Sequence, residues 1–399
     1  MRVLRILRSV LRKSSIQIHK ARLASVFFAV EALLNGGRLT CAGLGRSARN
    51  SVVPKHNIKR IDRLLGNPKL HSELRLFFKA IARAAIGKSA RPIILVDWTK
   101  VDYGKFSALT AAVPVDGRSL PILWHVYEDR KWGSPEVHKH FLLTLKTMLP
   151  SGCRPVLVTD AGFQNPWFDM VWRLDWDWVG RISSSMVKLP SGRKWLAGRQ
   201  IRSMATRRVR DLGICEVAKN NPMNHRVVLG KRYRPNPRGS KSRQRRRATT
   251  GLSVKKAKRR SVQPWLLATS LLDKSAAEVN GLYALRMRIE ECYRDTKNHR
   301  FGWSFEDARA TTTQRYAVLL LVSTMAMLVL FSIGLVLEQK RRHYLFQANT
   351  VRHKRVLSLF FLGKQMIHRH ELASMSLRDL QLALNRMAVD EHGQPARES

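Results

Sequence analysis

Residues Tyr316–Leu337 carry no charged side chain. A helix rises about 1.5 Å per residue, so this run is long enough to cross the hydrocarbon core of a bilayer. Only two environments accept it: a membrane, or the centre of a core large enough to surround a helix on all sides. The run contains Ser323, Thr324, Ser332 and Gly334, and it follows a stretch that reads as a soluble α/β core. The expectation is therefore a helix buried all round, with no membrane contact. With 399 residues, 44% of them apolar, the chain is long enough to build such a core.

Charge narrows the function. Lys and Arg number 73 against 28 Asp and Glu, a formal net charge of +45. Self-repulsion of that size destabilises a compact state, whereas a polyanion relieves it and releases counterions on binding. Nucleic acid is the expected partner. Cys41, Cys153, Cys215 and Cys292 form neither a CxxC nor a zinc-type spacing, so they read as reduced thiols. The N-terminal MRVLRILRSVLRK is basic and mildly amphipathic. It lacks the clean apolar stretch and cleavage site of a signal peptide.

Along the chain, residues 1–90 read as helical. KARLASVFFAVEALLNGG has helical spacing and stops at a Gly pair, and LTCAGLGRSA follows as a short helix. In HNIKRIDRLLGN, Ile58, Ile61, Leu64 and Leu65 fall on one side and His56, Lys59, Arg60 and Arg63 on another. An apolar back and a basic front suit either a helix-turn-helix-like DNA reader or a solvated face of a structural bundle. From residue 91 the pattern changes to strands: RPIILVDWTKVDYG, then FSALTAAVPV and SLPILWHVYE joined by the turn signal Asp116-Gly117. These three can form an antiparallel meander. A helix over SPEVHKHFLLTLKTMLP with Ser134 as N-cap, a strand RPVLVTDAG, a helix NPWFDMVWRLDW and a strand DWVGRIS follow. Residues 184–270 interrupt this order. Residues 226–260 have no acid and few apolar side chains, and are expected to form a mobile basic loop. VQPWLLATSL returns to strand character, residues 276–297 read as one helix, and residues 339–399 as a basic, helical region.

The acids carry the chemistry. An ionised carboxylate inside a run such as IILVDW is costly to bury unless it is paired or binds a metal. Asp97 and Asp160 both stand at or near the ends of such runs. Each alone could simply cap a loop. On the helix over 276–297, Tyr283, Arg286, Glu290, Arg294 and Lys297 lie at i, i+3, i+7, i+11 and i+14 and fall in one narrow stripe. Leu282, Leu285, Ile289 and Tyr293 form the apolar face beside it. The stripe is either an exposed salt-bridged face or a catalytic one. Phosphodiester cleavage needs an activated nucleophile and a stabilised alkoxide, which two Mg²⁺ ions about 3.5–4 Å apart supply. Three carboxylates suit such ions, and neighbouring cations and a phenol suit the phosphates. No HExxH, P-loop or GxSxG motif competes.

With KHNIKRIDRLLGN, VDW at 96–98, DAGF at 160–163, QPWLLATS at 263–270, the YxxRxxxExxxxxxK signature at Tyr283, Arg286, Glu290 and Lys297, and FQANTVRxxxVLS at 346–358 in order, the chain resembles the DDE transposases of the insertion-sequence-four group, most closely their transposon-ten branch. The resemblance implies an α/β, RNase H-like catalytic core (91–338) with an inserted β-rich region at 184–270, flanked by helical N- and C-terminal regions. Asp97 would lie on the first strand, Asp160 after the fourth and Glu290 on the helix after the insertion, together holding two Mg²⁺ or Mn²⁺ ions. Tyr283, Arg286, Arg294 and Lys297 would hold phosphates, and Trp265 would stack on an extruded base. It further implies a bacterial, cytoplasmic, nucleoid-associated enzyme. It would bind double-stranded element ends and target DNA, work as a homodimer (with 339–399 a candidate dimerisation region), and cut through a hairpin intermediate before joining 3′-OH ends to target. An RNase H-like nuclease or resolvase without strand transfer, a non-catalytic DNA-binding protein, and a protein anchored by 316–337 are the competing readings.

Overall fold

The computed structural model describes residues 4–13, 18–102, 104–182, 185–231, 263–348, 350–351, 353–369 and 375–387. The chain forms two compact units, one of Met1–Val156 with Leu285–Ser399, the other of Leu157–Ala284.

The first unit opens with helices α1 (Leu4–Lys13), α2 (Lys20–Leu34), α3 (Cys41–Arg46), α4 (Pro54–Leu65) and α5 (Pro68–Ile86). Prolines in the first turns of α4 and α5 and side-chain caps from Thr40 (to the Gly43 amide) and Asn67 (to the Leu70 amide) set their starts. α3 packs closely on α4 because residue 45 is glycine: a Cβ there would come within 2.5 Å of Ile58 Cγ1. Strands β1 (Ile93–Asp102), β2 (Phe106–Val115) and β3 (Arg118–Glu128) form the expected antiparallel meander. Gly117, at φ +70°, supplies the left-handed residue that closes the Asp116-Gly117 turn. Helix α6 (Pro135–Met148) follows, with Ser134 at its N-cap position but no side-chain cap bond.

The second unit contains β4 (Val156–Thr159, which begins at the boundary), α7 (Asn165–Arg173), β5 (Asp177–Arg181), β6 (Met186–Lys188), β7 (Leu196–Ala197), α8 (Gly198–Ser203), β8 (Arg210–Val217), β9 (Met223–Leu229), β10 (Leu266–Thr269) and α9 (Ala276–Ala284). Its strands run in the order β4-β5-β10-β9-β8-β6-β7. Val187, Ile201, Val217, Val227, Leu229 and Leu266 fill its core. Asn165 fastens α7 to the sheet: its Nδ2 donates to the Val217 and Asn221 carbonyls, both at 2.7 Å, and its Oδ1 faces His225 Nε2 at 3.0 Å. This unit is wider than the expected insertion at 184–270, because β4, α7 and β5 pack with it.

Two expectations are corrected. Residues 226–229, read as the start of the basic loop, belong to β9, where Val227 and Val228 are buried and paired with β10. Residues 232–260 of that loop lie outside the described residues. The single helix over 276–297 is two: α9 ends at Ala284, and α10 spans Met287–Lys297. At the break the backbone tightens, with the Arg288 and Ile289 amides bonding the carbonyls three residues back, those of Leu285 and Arg286.

The first unit resumes with α10, α11 (Thr313–Gln339), α12 (Leu359–His368) and α13 (Leu377–Asn385). Helix α11 is the uncharged run, buried along almost its whole length among α2, α4, α5, α12, α13 and β3. It passes a length-and-composition test for crossing a membrane, and 94% of its most apolar window is buried inside the protein. Its polar groups are satisfied internally. Ser323 and Ser332 hydroxyls donate to the Leu320 and Leu328 carbonyls, and Thr324 Oγ1 accepts from Trp124 Nε1 at 3.1 Å. Two glycines let α11 and α12 meet backbone to backbone. A Cβ on Gly363 would lie 2.4 Å from the Leu330 carbonyl oxygen, and one on Gly334 2.7 Å from that of Leu359.

Gly363→Val should therefore destabilise the fold by about 1–3 kcal/mol or more. Gly281→Ala, within α9 and with open space around it, should be neutral or stabilising by up to about 1 kcal/mol. Thermal denaturation checks both, and an unchanged midpoint for Gly363→Val would contradict the close helix contact.

Candidate active site

Asp97 sits in the middle of β1 between Val96 and Trp98, and is only 7% exposed. Its burial is compensated locally. Oδ1 accepts from the Trp98 amide at 3.0 Å, and Oδ2 accepts from Arg286 Nη1 at 3.1 Å. The other terminal nitrogen of the same guanidinium donates to Glu290 Oε1 at 2.9 Å. One cation thus bridges two carboxylates that stand 193 residues apart in sequence number (290 minus 97). Arg286 is largely buried, whereas the Glu290 side chain is 48% exposed, so one end of the arrangement opens to solvent.

Helix α10 is fixed against β1 by more than this bridge. Tyr293, one turn on from Glu290, donates its hydroxyl to the Asp97 main-chain oxygen at 3.3 Å. Burial, and next the Asp97 charge, push that phenol well above its ordinary pKa, so it stays protonated and a donor. Lys297 donates to Thr99 Oγ1 at 2.8 Å and to the Lys100 carbonyl. Burial lowers its pKa. On the far flank of α10, Arg118 holds Asp295 at 2.7 Å and reaches Glu291 at 3.5 Å, while Ser119 donates to the Arg288 carbonyl. Burial raises Asp295 to about 6 despite that partner. Arg294 points outward and pairs with Glu291.

The side chains at the start of and along α10 that meet β1 or its Arg286 bridge are Arg286, Glu290, Tyr293 and Lys297, at i, i+4, i+7 and i+11. Tyr293 was assigned to the apolar face by sequence, although its spacing from Arg286 and Lys297 already places it beside them. Arg118 had no sequence signal, since its partners lie far along the chain.

In the second unit, Asp160 follows β4 directly. Its Oδ1 accepts from the Gly162 amide at 2.8 Å, which folds the DAG segment into a tight turn. Phe163 anchors the turn by packing on Trp167, ring centroids 4.7 Å apart. Trp265, half-buried just before β10, stands edge-on to the buried Tyr283 at 4.8 Å and 69°. Tyr283 is thus an aromatic partner of Trp265 within this unit. Within either unit, no three His, Cys, Asp or Glu side chains among the described residues cluster at metal-ligand spacing. Asp97 and Glu290 belong to one unit and Asp160 to the other.

On α4, His56, Lys59 and Arg63 are exposed, as the basic front requires. Arg60 is not free in the same way: its guanidinium lies 4.0 Å from the centroid of the Phe28 ring.

A family model described as Transposase DDE domain matches residues 88–329. The chain belongs to this DDE transposase family. The match includes Asp97, Asp160, Glu290, Arg286, Lys297, Tyr283 and Trp265, and leaves out α1–α5 and the region from residue 330 on. Comparison with curated proteins finds no match. Membership implies a DNA-binding transposase with metal-dependent activity, because DDE transposases generally use divalent metals.

On the opposite face of β1 in this transposase, Trp98 meets a buried histidine of α6. Trp98 Nε1 donates to His138 Nε2 at 3.2 Å, and burial lowers His138 to about 4. His125 and His225 are lowered to about 4 by the same cause. Each folded pKa lies below the unfolded value of about 6.5, so the unfolded chain binds more protons across that window. Stability should therefore fall as pH drops from about 6.5 to 4. His138→Gln should make the loss shallower in denaturation curves taken across this range; an unaltered pH slope would show that His138 titrates freely in the folded protein.

Proposed function

We propose that this protein is a cut-and-paste DNA transposase of the insertion-sequence-four type, with an RNase H-like core and Asp97, Asp160 and Glu290 as its catalytic acids. The observation that carries this reading is the Arg286 guanidinium held between Asp97 and Glu290, in a chain whose family match includes all three acids.

The donor set fits hard divalent cations. Two of the carboxylates already turn toward one positive group, and oxygen ligands of this kind suit Mg²⁺ or Mn²⁺. When bound by Asp97, Asp160 and Glu290, two such ions would activate the attacking oxygen and stabilise the departing one. Arg286 pairs with both Asp97 and Glu290 and holds them together. Tyr293 and Lys297 fix α10 to β1, so Glu290 is presented at a constant position along the strand. Tyr283, Arg286, Arg294 and Lys297 would contact phosphates near the element end, and Trp265 would stack on an extruded base, worth about 1–3 kcal/mol.

The proposed reaction begins with hydrolysis of one strand, which frees a 3′-OH. That hydroxyl attacks the opposite strand and closes a hairpin on the element end. A second water reopens it, and the 3′-OH then displaces a target phosphodiester. Each step is an in-line attack by oxygen on phosphorus, so one set of acids serves all four. His56, Lys59, Arg60 and Arg63 of α4, with α2 and α3 behind them, would bind the double-stranded ends. Residues 232–260 would add non-specific attraction. A homodimer, with 339–399 contributing contacts, would pair two ends on the bacterial nucleoid.

Purified protein incubated with Mg²⁺ and DNA carrying candidate element ends should give hairpinned ends and strand-transfer products. Asp97→Ala, Asp160→Ala and Glu290→Ala should each slow cleavage by at least about a hundred-fold while retaining end binding. Nicking without any joined product would favour the nuclease reading, and wild-type rates in any variant would remove that acid from the site.

A further inference from the structure

Trp98 and Lys100 are two residues apart on β1, so their side chains leave the same face of the strand, opposite to Asp97 and Thr99. Trp132, which follows the 3₁₀ turn Asp129–Lys131, lies across both. Its ring stacks on Trp98 at 5.0 Å and 28°, and Lys100 Nζ stands 4.8 Å from its centroid. Each support is itself held. Trp98 donates to His138, and Lys100 pairs with Asp129 at 2.7 Å, which also accepts from Ser107. Burial works against ionisation of Asp129, but the bonds from Lys100 and Ser107 leave its pKa lowered, so the pair stays charged.

An indole that stacks on a second indole and has a lysine over its ring would be expected to be largely buried. Trp132 instead remains 43% exposed. Nearby charge is positive on balance where it is free: Glu128 is paired with Arg130 at 2.6 Å, whereas Lys105 and Lys131 carry no ion pair among the described residues. A partly exposed indole next to Lys131, with Lys105 held to the same turn through its carbonyl, on a chain of net charge +45, is the arrangement that takes an unstacked base together with its phosphates.

We propose that Trp132 is a base-stacking residue for unpaired DNA, on a surface formed by Trp132, Lys105 and Lys131 on the face of β1 opposite Asp97. The proposal rests on the transposase reading for its biological setting, since strand separation at element ends or target exposes such bases. Its test is separate from catalysis and needs no metal.

The full-length protein is irradiated with single-stranded oligothymidine containing 5-iodouracil, and adducts are mapped by mass spectrometry. Trp132 should be the adduct site. In parallel, Trp132→Ala should weaken binding of single-stranded oligothymidine by about 5- to 100-fold, Trp132→Phe should recover most of it, and duplex binding should change little. Absence of a Trp132 adduct in the unaltered protein, or equal losses for duplex and single strand in Trp132→Ala, would overturn the proposal. Intact hairpin formation alongside that failure would leave the transposase reading standing. Selective loss of single-strand binding in a protein that never cleaves DNA would support the stacking role and count against the transposase reading alone.

Discussion

A buried carboxylate in the middle of an apolar strand is the constraint around which the first unit is arranged. Burying a carboxylate at that depth calls for a counter-charge, and Arg286 supplies one from the start of α10. The same guanidinium reaches Glu290, so compensating the burial of one acid also positions another. Tyr293 and Lys297 then fix the helix to β1 at and just beyond Asp97, through main-chain oxygens and Thr99. The packing of this part of the fold and the placement of Asp97 and Glu290 thus depend on the same contacts.

Around that arrangement the molecule needs a rigid support, and α11 provides it. A helix that is apolar on every side has no preferred solvent face, so elements must pack around it. Gly334 and Gly363 allow α12 to approach at backbone distance, and Trp124 links α11 to β3, which in turn is tied to α10 through Ser119 and Arg118. Trp124 also packs against Tyr293, ring centroids 5.9 Å apart. The least polar segment of a highly charged protein therefore backs the helix that carries Glu290.

Much of this was legible in the residues. Strong local patterns gave the meander, the strand ending next to Asp160, and the buried character of 316–337, because each depends on periodicity within a short window; Asp97, expected near the end of an apolar run, stands in the middle of a ten-residue strand. The break at Leu285–Arg286 was not legible. No Gly or Pro marks it, and helix propensity runs through it unchanged. That break coincides with the unit boundary, so Tyr283 falls in the second unit, where it meets Trp265. Arg118, His138 and Trp132 escaped notice for another reason: their roles arise from partners on other elements, and one chain read in order does not reveal such pairings. The span 226–229 was misread because a basic composition outweighed a short apolar strand, RVVL, at its edge.

The central proposal is that Asp97, Asp160 and Glu290 hold divalent metal. Iron-mediated cleavage tests it most directly. Fe²⁺ is substituted for Mg²⁺ in the DNA-bound protein, ascorbate and peroxide generate hydroxyl radicals at the metal, and the sites of backbone scission are mapped. The account predicts cuts clustered near Asp97, Asp160 and Glu290 that disappear when excess Mg²⁺ competes. Scission elsewhere, or at only one of the three segments, would contradict it.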